Sequence, residues 1–229
     1  MKIGVAIPCY IGHINKLYEL LESIENQTRI PDKVVVSCSS TNSEMIPVFK
    51  IYTFPLEFIP IEEKKNAAEN RNIASSKLKD MDYISFFDAD DIMVPQRIEF
   101  IEKVIENNNP DIILHNFYLN NDEQENKTTS EINDTLLYKI NSLRQCPSGC
   151  ILHKEYSPDS KIYHIHHSQP TVKSCLLDKV KFPEESIYIN KEDSIFCYLI
   201  FDLPNIINAY IQNELSYYTS SNSQGYMIR

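Results

Sequence analysis

Glycine is scarce in this sequence, and its distribution excludes two common nucleotide-binding loops. The 229 residues contain four glycines, Gly4, Gly12, Gly149 and Gly225, and no two of them lie closer than eight residues. A GxGxxG dinucleotide loop and a GxxxxGK[ST] phosphate loop both need glycines at shorter spacing. If the protein handles a nucleotide, it therefore does so with a different kind of site.

An excess of positive charge and long hydrophobic runs are also lacking. The 22 Lys and Arg residues against 32 Asp and Glu residues give a net charge of −10, which provides no basic field for phosphate backbones. Nucleic acid is therefore not expected as a partner.

No segment approaches the roughly 18 to 20 consecutive apolar residues of a membrane span. The apolar run at residues 3–7 ends at Pro8 without a signal-peptide cleavage site. We expect no integral membrane segment and a cytoplasmic protein.

The composition is that of a chain that buries a core. Hydrophobic residues make up 42% and charged residues 24%, so disorder does not describe the chain as a whole. The length leaves room for one domain, and no linker is visible, so we predict a single domain over residues 1–229. The six cysteines are scattered mostly within apolar segments, which favours reduced thiols over a disulfide framework.

Apolar runs of strand length alternate with segments of helical period in the first half of the chain. This alternation predicts an α/β fold, a Rossmann-like sheet, mixed but mostly parallel, that is flanked by helices. The second half is less regular, and residues 119–134 are predicted to form a surface loop. Predicted strands are residues 3–7, 33–38, 57–61, 83–87, 111–118, 149–153, 162–165 and 214–219, and predicted helices are residues 14–24, 66–78, 171–180, 194–201 and one with Pro95 in its first turn.

Three carboxylates, Asp88, Asp90 and Asp91, directly follow the predicted buried strand at residues 83–87. Open α/β sheets place their ligands at this edge. Two carboxylates about 5 Å apart repel by about 3 kcal/mol at an effective dielectric of about 20, so such a cluster favours a bound cation. Mg²⁺ or Mn²⁺ takes one or two protein carboxylates and completes its shell with water and phosphate oxygens. The alternative is an acidic loop whose last Asp caps the next helix.

Two further motifs carry charge. Arg71 and Asn72 lie on the predicted helix that precedes the strand at residues 83–87. Arg71 is a bidentate donor suited to a diphosphate, and Asn72 can hold a loop or a sugar hydroxyl. Glu192 and Asp193 precede an apolar helix. Acidic residues at a helix start also complement the helix dipole, so this pair has a purely structural alternative.

Taken together, these motifs resemble the family 2 glycosyltransferases of the GT-A fold. The resemblance rests on the order and spacing of elements that span nearly the whole chain. These elements are residues 3–10 (IGVAIPCY), 71–72 (RN), 86–91 (FFDADD), 169–171 (QPT), 182–184 (FPE), 192–193 (ED) and 215–218 (LSYY).

The resemblance implies an inverting transfer of a sugar from a nucleotide-diphosphate sugar to a hydroxyl of a glycan or protein acceptor. Asp90 would bind Mn²⁺ or Mg²⁺ together with Asp88, which would also lie near the ribose and donor sugar. Asp193 would be the catalytic base. Residues 1–118 would form the nucleotide-sugar half and residues 135–229 the acceptor half. The donor would be contacted by Pro8, Tyr10, Ser37, Ser39, Arg71 and Asp88, and Asp91 and Glu192 are further candidates.

The sequence departs from the family at the end of the second strand. Members usually carry an Asp there that reads the nucleotide base, whereas residues 36–42 of this chain contain no carboxylate. The hydroxyls of Ser37, Ser39 or Thr41 could still bond a pyrimidine edge, and the identity of the base stays open.

A cluster of histidines and cysteines allows another interpretation. Cys146, Cys150 and His153, followed by histidines at 164, 166 and 167, include enough ligands for zinc, but their spacing matches no common zinc module. His166 and His167 are alternatively predicted to face the acceptor, in the loop that leads to Gln169, a further candidate residue. A solvated polar loop is the other interpretation of these histidines. Two other functions stay open, an inactive module of the same fold that binds a nucleotide sugar or glycan, and a nucleotidyltransferase.

Overall fold

The computed structural model describes residues 1–47, 50–119, 135–138 and 168–218, and these ranges contain one nine-stranded sheet. The sheet order is β3-β2-β1-β4-β8-β6-β9-β5, and β7 pairs with β9 outside this path. The strands are β1 Ile3–Tyr10, β2 Lys33–Ser39, β3 Leu56–Ile61, β4 Tyr83–Phe86, β5 Ile92–Met93, β6 Ile112–Leu119, β7 Thr135–Tyr138, β8 Thr171–Lys173 and β9 Asn208–Tyr218.

The sheet is mixed. Strands β3, β2, β1 and β4 run parallel, and β6 and β9 are parallel to each other. The short strand β8 lies between β4 and β6 and is antiparallel to both. The prediction of a mixed, mostly parallel sheet flanked by helices is therefore confirmed.

Four α-helices cover the two faces of the sheet within the described ranges. They are α1 Ile14–Glu25, α2 Ala67–Ser76, α3 Arg97–Asn108 and α4 Glu192–Phe201, and 3-10 turns occupy Ile11–His13, Ser174–Asp178 and Ser186–Tyr188. None of the helices in this part of the chain is long and apolar enough to cross a membrane.

Both faces of the inner strands are buried, which explains why these strands are continuous apolar runs rather than alternating ones. Val34 and Val36 of β2 belong to one core cluster, which includes the apolar faces of α1 and α3, and Val35 belongs to a second cluster with residues of α2 and α4. Two buried cores therefore hold the parallel strands rigid, so that their carboxyl ends meet at a fixed edge.

Helix α2 begins with a complete capping box. The side chain of Asn66 accepts a hydrogen bond from the main-chain N–H of Glu69, and the Glu69 carboxylate accepts one from the N–H of Asn66. This arrangement satisfies N–H groups that the helix itself leaves unpaired. The start of α2, four residues before Arg71 at Ala67, is thus fixed by local sequence.

The predicted helix at residues 171–180 is wrong. Thr171–Lys173 forms strand β8, and Ser174–Asp178 forms a 3-10 turn. Val172, Leu176 and Val180 recur every four residues, which imitates a helix, but Thr171 and Val172 are β-branched and pair on both sides with β4 and β6. The pairing with two distant strands decides the structure of this segment.

Several boundaries also differ from the predictions. Helix α3 begins at Arg97, so Pro95 precedes the helix instead of lying in its first turn, and β9 begins at Asn208 instead of 214. Strands β5 and β7 were not predicted. Of the predicted surface loop, Leu119 ends β6. Residues 120–134, with the short strands predicted at 149–153 and 162–165, lie outside the described residues.

Candidate functional site

A cleft of about 650 Å³ lies at the carboxyl ends of β1, β2 and β4. This volume is within the usual range of ligand-binding pockets, about 300 to 1,000 Å³. One side is formed by the ends of the strands and the start of α2, and the other by residues that precede or begin α4. The residues that line it include Pro8, Cys9, Tyr10, His13, Ser39, Lys64, Lys65, Asn70, Arg71, Asp88, Asp90 and Glu192.

Arg71 joins the two sides of the cleft. Its Nη2 donates a 2.8 Å hydrogen bond to Oδ1 of Asp88, and its Nη1 donates a 3.0 Å hydrogen bond to Oε1 of Glu192. The Arg71 side chain is only 4% exposed, and its guanidinium lies 5.3 Å from the ring centre of Phe182. The structure thus brings together three residues that the sequence analysis took from three separate motifs.

The charges around Arg71 hold it in the ionised form. Burial alone would lower the pKa of Arg71, but the negative charges of Asp88, Asp193 and Glu192 outweigh burial and raise it. Within the described residues, Nε of Arg71 and Oε2 of Glu192 are buried without a hydrogen-bond partner. Nε of Arg71 could therefore donate a further hydrogen bond, and Oε2 of Glu192 could accept one.

Asp90 lies at the end of the cleft near β1. The pKa of its carboxyl is raised, first by burial and then by the negative charge of Asp88, while His13 and Lys16 oppose the rise. Nε2 of His13 lies 3.7 Å from Oδ2 of Asp90. A second positive charge at this carboxylate would relieve its repulsion with Asp88.

The pair Asp88 and Asp90 suits a hard divalent cation. Mg²⁺ and Mn²⁺ take one or two protein carboxylates and leave other positions to water and phosphate oxygens. Both carboxylates line the cleft, and the mutual repulsion that raises the pKa of Asp90 is what a cation would offset. Across the described ranges, no group of three or more His, Cys, Asp or Glu side chains is placed so that it could hold a metal ion.

Asp91 and Gln169 lie beneath the cleft rather than in it. Asp91 is 1% exposed and Gln169 is fully buried, and Nε2 of Gln169 donates a 2.6 Å hydrogen bond to Oδ2 of Asp91. The side chain of Gln169, a further candidate of the sequence analysis, therefore does not reach the cleft. The helix-cap alternative for Asp91 is not found either, because Gln96 occupies the N-cap of α3 and makes no side-chain cap bond.

Ser37 and Ser39 are linked by an asparagine. The amide of Asn70 accepts a hydrogen bond from Ser37 at 2.9 Å and donates one to the Ser39 hydroxyl at 3.0 Å. Both serines are fully buried, and of the two only Ser39 is among the residues that line the cleft.

Glu192 and Asp193 form the first turn of α4. Glu192 is tied to Arg71, and Asp193, half-buried, accepts a 2.6 Å hydrogen bond from the N–H of Ser194. Burial raises the pKa of Asp193, and the charge of Arg71 opposes that rise. Glu192, but not Asp193, is among the described residues that line the cleft. Glu192 therefore does more than complement a helix dipole.

Asn72 holds a loop, one of its two predicted roles. Its side chain accepts a hydrogen bond from the N–H of Phe182 and donates to the Phe182 carbonyl and the Glu184 carboxylate. The side-chain amide of Asn66 donates to the carbonyl of Glu184. Helix α2 thus fixes the segment that forms the opposite wall of the cleft.

The sequence analysis missed several lining residues, among them His13, Lys64, Lys65 and Asn70. Asn70 follows Asn66 by one helical turn, which places both on one face of α2 and is a signal that the sequence contains. His13 follows the end of β1 at the ligand edge, a weaker signal. His166 and His167, and the proposed zinc ligands between 146 and 164, lie outside the described residues.

The sequence model described as "Glycosyl transferase family 2" matches residues 4–164 of the chain. A Haemophilus influenzae protein named "Uncharacterized glycosyltransferase" is 32% identical over 114 residues, which are 49% of this chain and 38% of that protein. "Uncharacterized glycosyltransferase YwdF" of Bacillus subtilis is 35% identical over 107 residues, 46% of this chain and 39% of that protein. The matches thus span about two fifths of the length of these relatives.

Solved structures show the same fold. The crystal structure of S. aureus TarS 1-349 in complex with UDP-GlcNAc superposes with a TM-score of 0.71 at 20% identity, covering 98% of this chain and 60% of that chain. The complex of the same fragment with UDP gives a TM-score of 0.66 at 20% identity and covers 96% of this chain and 61% of that chain.

Proposed function

Because the chain belongs to glycosyl transferase family 2, we propose that it transfers a sugar from a nucleotide-diphosphate sugar to an acceptor hydroxyl, with inversion at the anomeric carbon. The observation that carries the proposal is the bridge of Arg71 between Asp88 and Glu192. The acidic turn, residues 88–91, and the start of α4 come from opposite halves of the chain. The bridge brings both to one cleft.

The proposed site residues divide into two roles, donor binding and proton transfer. Asp90, with Asp88, would hold Mn²⁺ or Mg²⁺ and so fix the diphosphate. When bound, the ion supplies positive charge that offsets the negative charge of the departing nucleoside diphosphate. Lys64 and Lys65 line the same cleft and add positive charge for phosphate oxygens.

Asp193 would take the proton from the acceptor hydroxyl as that oxygen attacks the anomeric carbon. A carboxylate with a raised pKa is a better proton acceptor than an ordinary one, and the rise at Asp193 comes first from burial. Glu192 would stay bound to Arg71 and so hold the start of α4 against the cleft. Asp193 is assigned as the base because Glu192 is already bound to Arg71.

A uridine diphosphate sugar is the first donor to test, because two similar solved structures hold UDP and UDP-GlcNAc. The complete chain is incubated with a panel of nucleotide sugars and Mn²⁺, and release of nucleoside diphosphate is measured. Asp90→Ala and Asp193→Asn are expected to lower release about 100-fold or more. The matched controls Asp80→Asn, in an exposed loop, and Asp202→Asn, at the far end of α4, should release diphosphate at the unmodified rate.

Equal turnover by Asp90→Ala, Asp193→Asn and the unmodified protein would contradict these roles. Mn²⁺-dependent binding of UDP without release from any donor would instead favour an inactive binding module of the same fold. Release of pyrophosphate from a nucleoside triphosphate and a sugar phosphate would favour a nucleotidyltransferase.

A further inference from the structure

Gln169 connects the acidic turn to the centre of the sheet. Its side-chain Nε2 donates to Oδ2 of Asp91 at 2.6 Å, and the neighbouring Pro170 carbonyl accepts a 2.9 Å hydrogen bond from the N–H of Phe86. Gln169 is fully buried and lies two positions before the first residue of β8. The segment that leads into β8 is therefore hydrogen-bonded to both ends of residues 86–91.

Arg97 holds Gln169 from the interior. Its Nη2 donates to the main-chain oxygen of Gln169 at 3.2 Å, and its Nη1 donates to the Ser85 hydroxyl at 2.7 Å. Its Nε donates to Nε2 of His115 at 3.1 Å, and its guanidinium lies 4.8 Å from the ring centre of Phe87. Arg97 is fully buried, and a buried charge costs free energy unless its donors are well paired. Such a residue points to a fixed geometry rather than to simple packing.

Asp91 connects Gln169 to the segment that carries the two carboxylates of the cleft. The N–H of Asp91 donates to the carbonyl of Asp88 at 3.3 Å, which closes the turn that contains Asp90. Asp88 and Asp90 line the cleft, while Asp91 is buried below them. Since two nearby carboxylates repel each other, the turn needs an anchor to hold both on the same side.

We propose that Gln169 and Arg97 are positioning residues for the acidic turn, which hold Asp91 in place so that Asp88 and Asp90 face the cleft together. The inference rests on the proposed function for its consequence, the binding of a divalent ion and a diphosphate. Neither residue touches the substrate in this arrangement, and both act through Asp91.

The first measurement needs no activity. Hydrogen exchange of the main-chain amides of residues 86–91 is compared in the unmodified protein, in Gln169→Met and in the matched control Gln27→Met. Gln27 is also a buried glutamine, and its amide links α1 to the start of α3 through Val94 and Ile98. We expect Gln169→Met to raise exchange at the turn about tenfold or more, the factor given by a lost hydrogen bond to a charged group.

Gln27→Met is expected to lower the midpoint of urea unfolding while leaving exchange at residues 86–91 within about twofold of the unmodified value, because its lost bonds lie elsewhere. If Gln27→Met and Gln169→Met raise exchange at the turn equally, Gln169 is only a structural residue and the proposal is wrong. Should Gln169→Met not fold, Arg97→Lys replaces it, since lysine cannot reproduce the fork that reaches Ser85, His115 and Gln169.

The second measurement is the Mn²⁺ concentration that gives half-maximal release of nucleoside diphosphate. Gln169→Met should raise this concentration about tenfold, and Gln27→Met should leave it unchanged. An unchanged value for Gln169→Met would overturn the proposed link to the cation. If the unmodified protein releases no diphosphate, the proposed function fails, and hydrogen exchange alone decides whether Gln169 holds the turn.

Discussion

Arg71 and Glu192 are 121 positions apart in the sequence, yet Nη1 of the arginine lies 3.0 Å from Oε1 of the carboxylate. The same guanidinium donates to Asp88 at 2.8 Å, so one buried arginine joins α2, the acidic turn and α4. The two walls of the cleft are therefore joined through one side chain.

Replacing Arg71 by glutamine should lower the free energy of unfolding by about 3 to 5 kcal/mol, because the buried Glu192 and the partly buried Asp88 would lose their counter-charge. Urea unfolding at constant pH measures the change. Lys50→Gln is the matched control, since the Lys50–Glu22 pair is about half exposed, with side-chain exposures of 50% and 47%. An exposed pair of this kind contributes about 1 kcal/mol or less. Equal losses for the two variants would show that the buried bridge adds no stability.

Mn²⁺ should stabilise the protein, and the effect should depend on Asp90. At a concentration of about 100 times its dissociation constant, a bound ion adds about 2.7 kcal/mol, or roughly 5 to 10 °C in Tm for a domain of this size. The protein is first treated with EDTA, and thermal unfolding is followed as Mn²⁺ is added back. Asp90→Asn should lose the shift and Asp80→Asn should keep it. A shift of the same size in Asp90→Asn would place the ion elsewhere.

The rate of diphosphate release should fall on the acid side at a higher pH than an ordinary carboxyl would give. Burial raises the pKa of Asp193 above 3.8, and only its deprotonated form can accept a proton. Profiles of kcat/KM against pH measure this limb, with Asp202→Asn as the control. The prediction is contradicted if the acid limb survives unchanged in Asp193→Asn.

The same pKa shift has a consequence for stability. Because the folded state binds the Asp193 proton more tightly than the unfolded state, this residue's contribution falls as pH rises from the unfolded-state pKa through the raised folded-state pKa. Asp193→Asn should therefore gain stability relative to the unmodified protein as the pH rises above this window. Urea unfolding at several pH values measures the difference.

Two glycines should respond differently to alanine. A Cβ at Gly4 would lie 2.8 Å from Cγ of Met81 and 2.9 Å from Cδ2 of Leu78, both in the buried core. A Cβ at Gly12 would meet the ring of Tyr10, 2.6 Å from Cζ and 2.7 Å from Oη, and that residue is 47% exposed. Gly4→Ala should cost about 1 to 3 kcal/mol of stability, because its neighbours cannot move away freely.

Gly12→Ala should leave stability almost unchanged, because the exposed Tyr10 ring can rotate away. The rotation would remove the ring from the cleft that it lines, so we expect weaker binding of nucleoside diphosphate, measured by calorimetry. Each variant is the control for the other. Unchanged nucleotide affinity in Gly12→Ala would show that Tyr10 makes no contact with the ligand.

Local sequence determined the parallel half of the protein. The valines of β2 and the spaced leucines of α1 bury fully apolar surface, so period and β-branching were sufficient to predict both elements. The turn at Asp88 and Asp90 could be predicted as a ligand-facing cluster because it follows a buried strand, and such strands end at the binding edge.

The tertiary structure alone decided which carboxylates face the cleft and which lie beneath it. Asp90 and Asp91 are adjacent in sequence and chemically identical, but only Asp91 is paired with a glutamine 78 positions away. Thr171 and Val172 likewise became a strand because β4 and β6 both offered main-chain partners. The hydrophobic period of a sequence indicates which face of a single helix or strand is buried. The placement of Asp91 and the formation of β8 depend instead on hydrogen bonds between segments that are far apart in sequence and meet only after the sheet has formed.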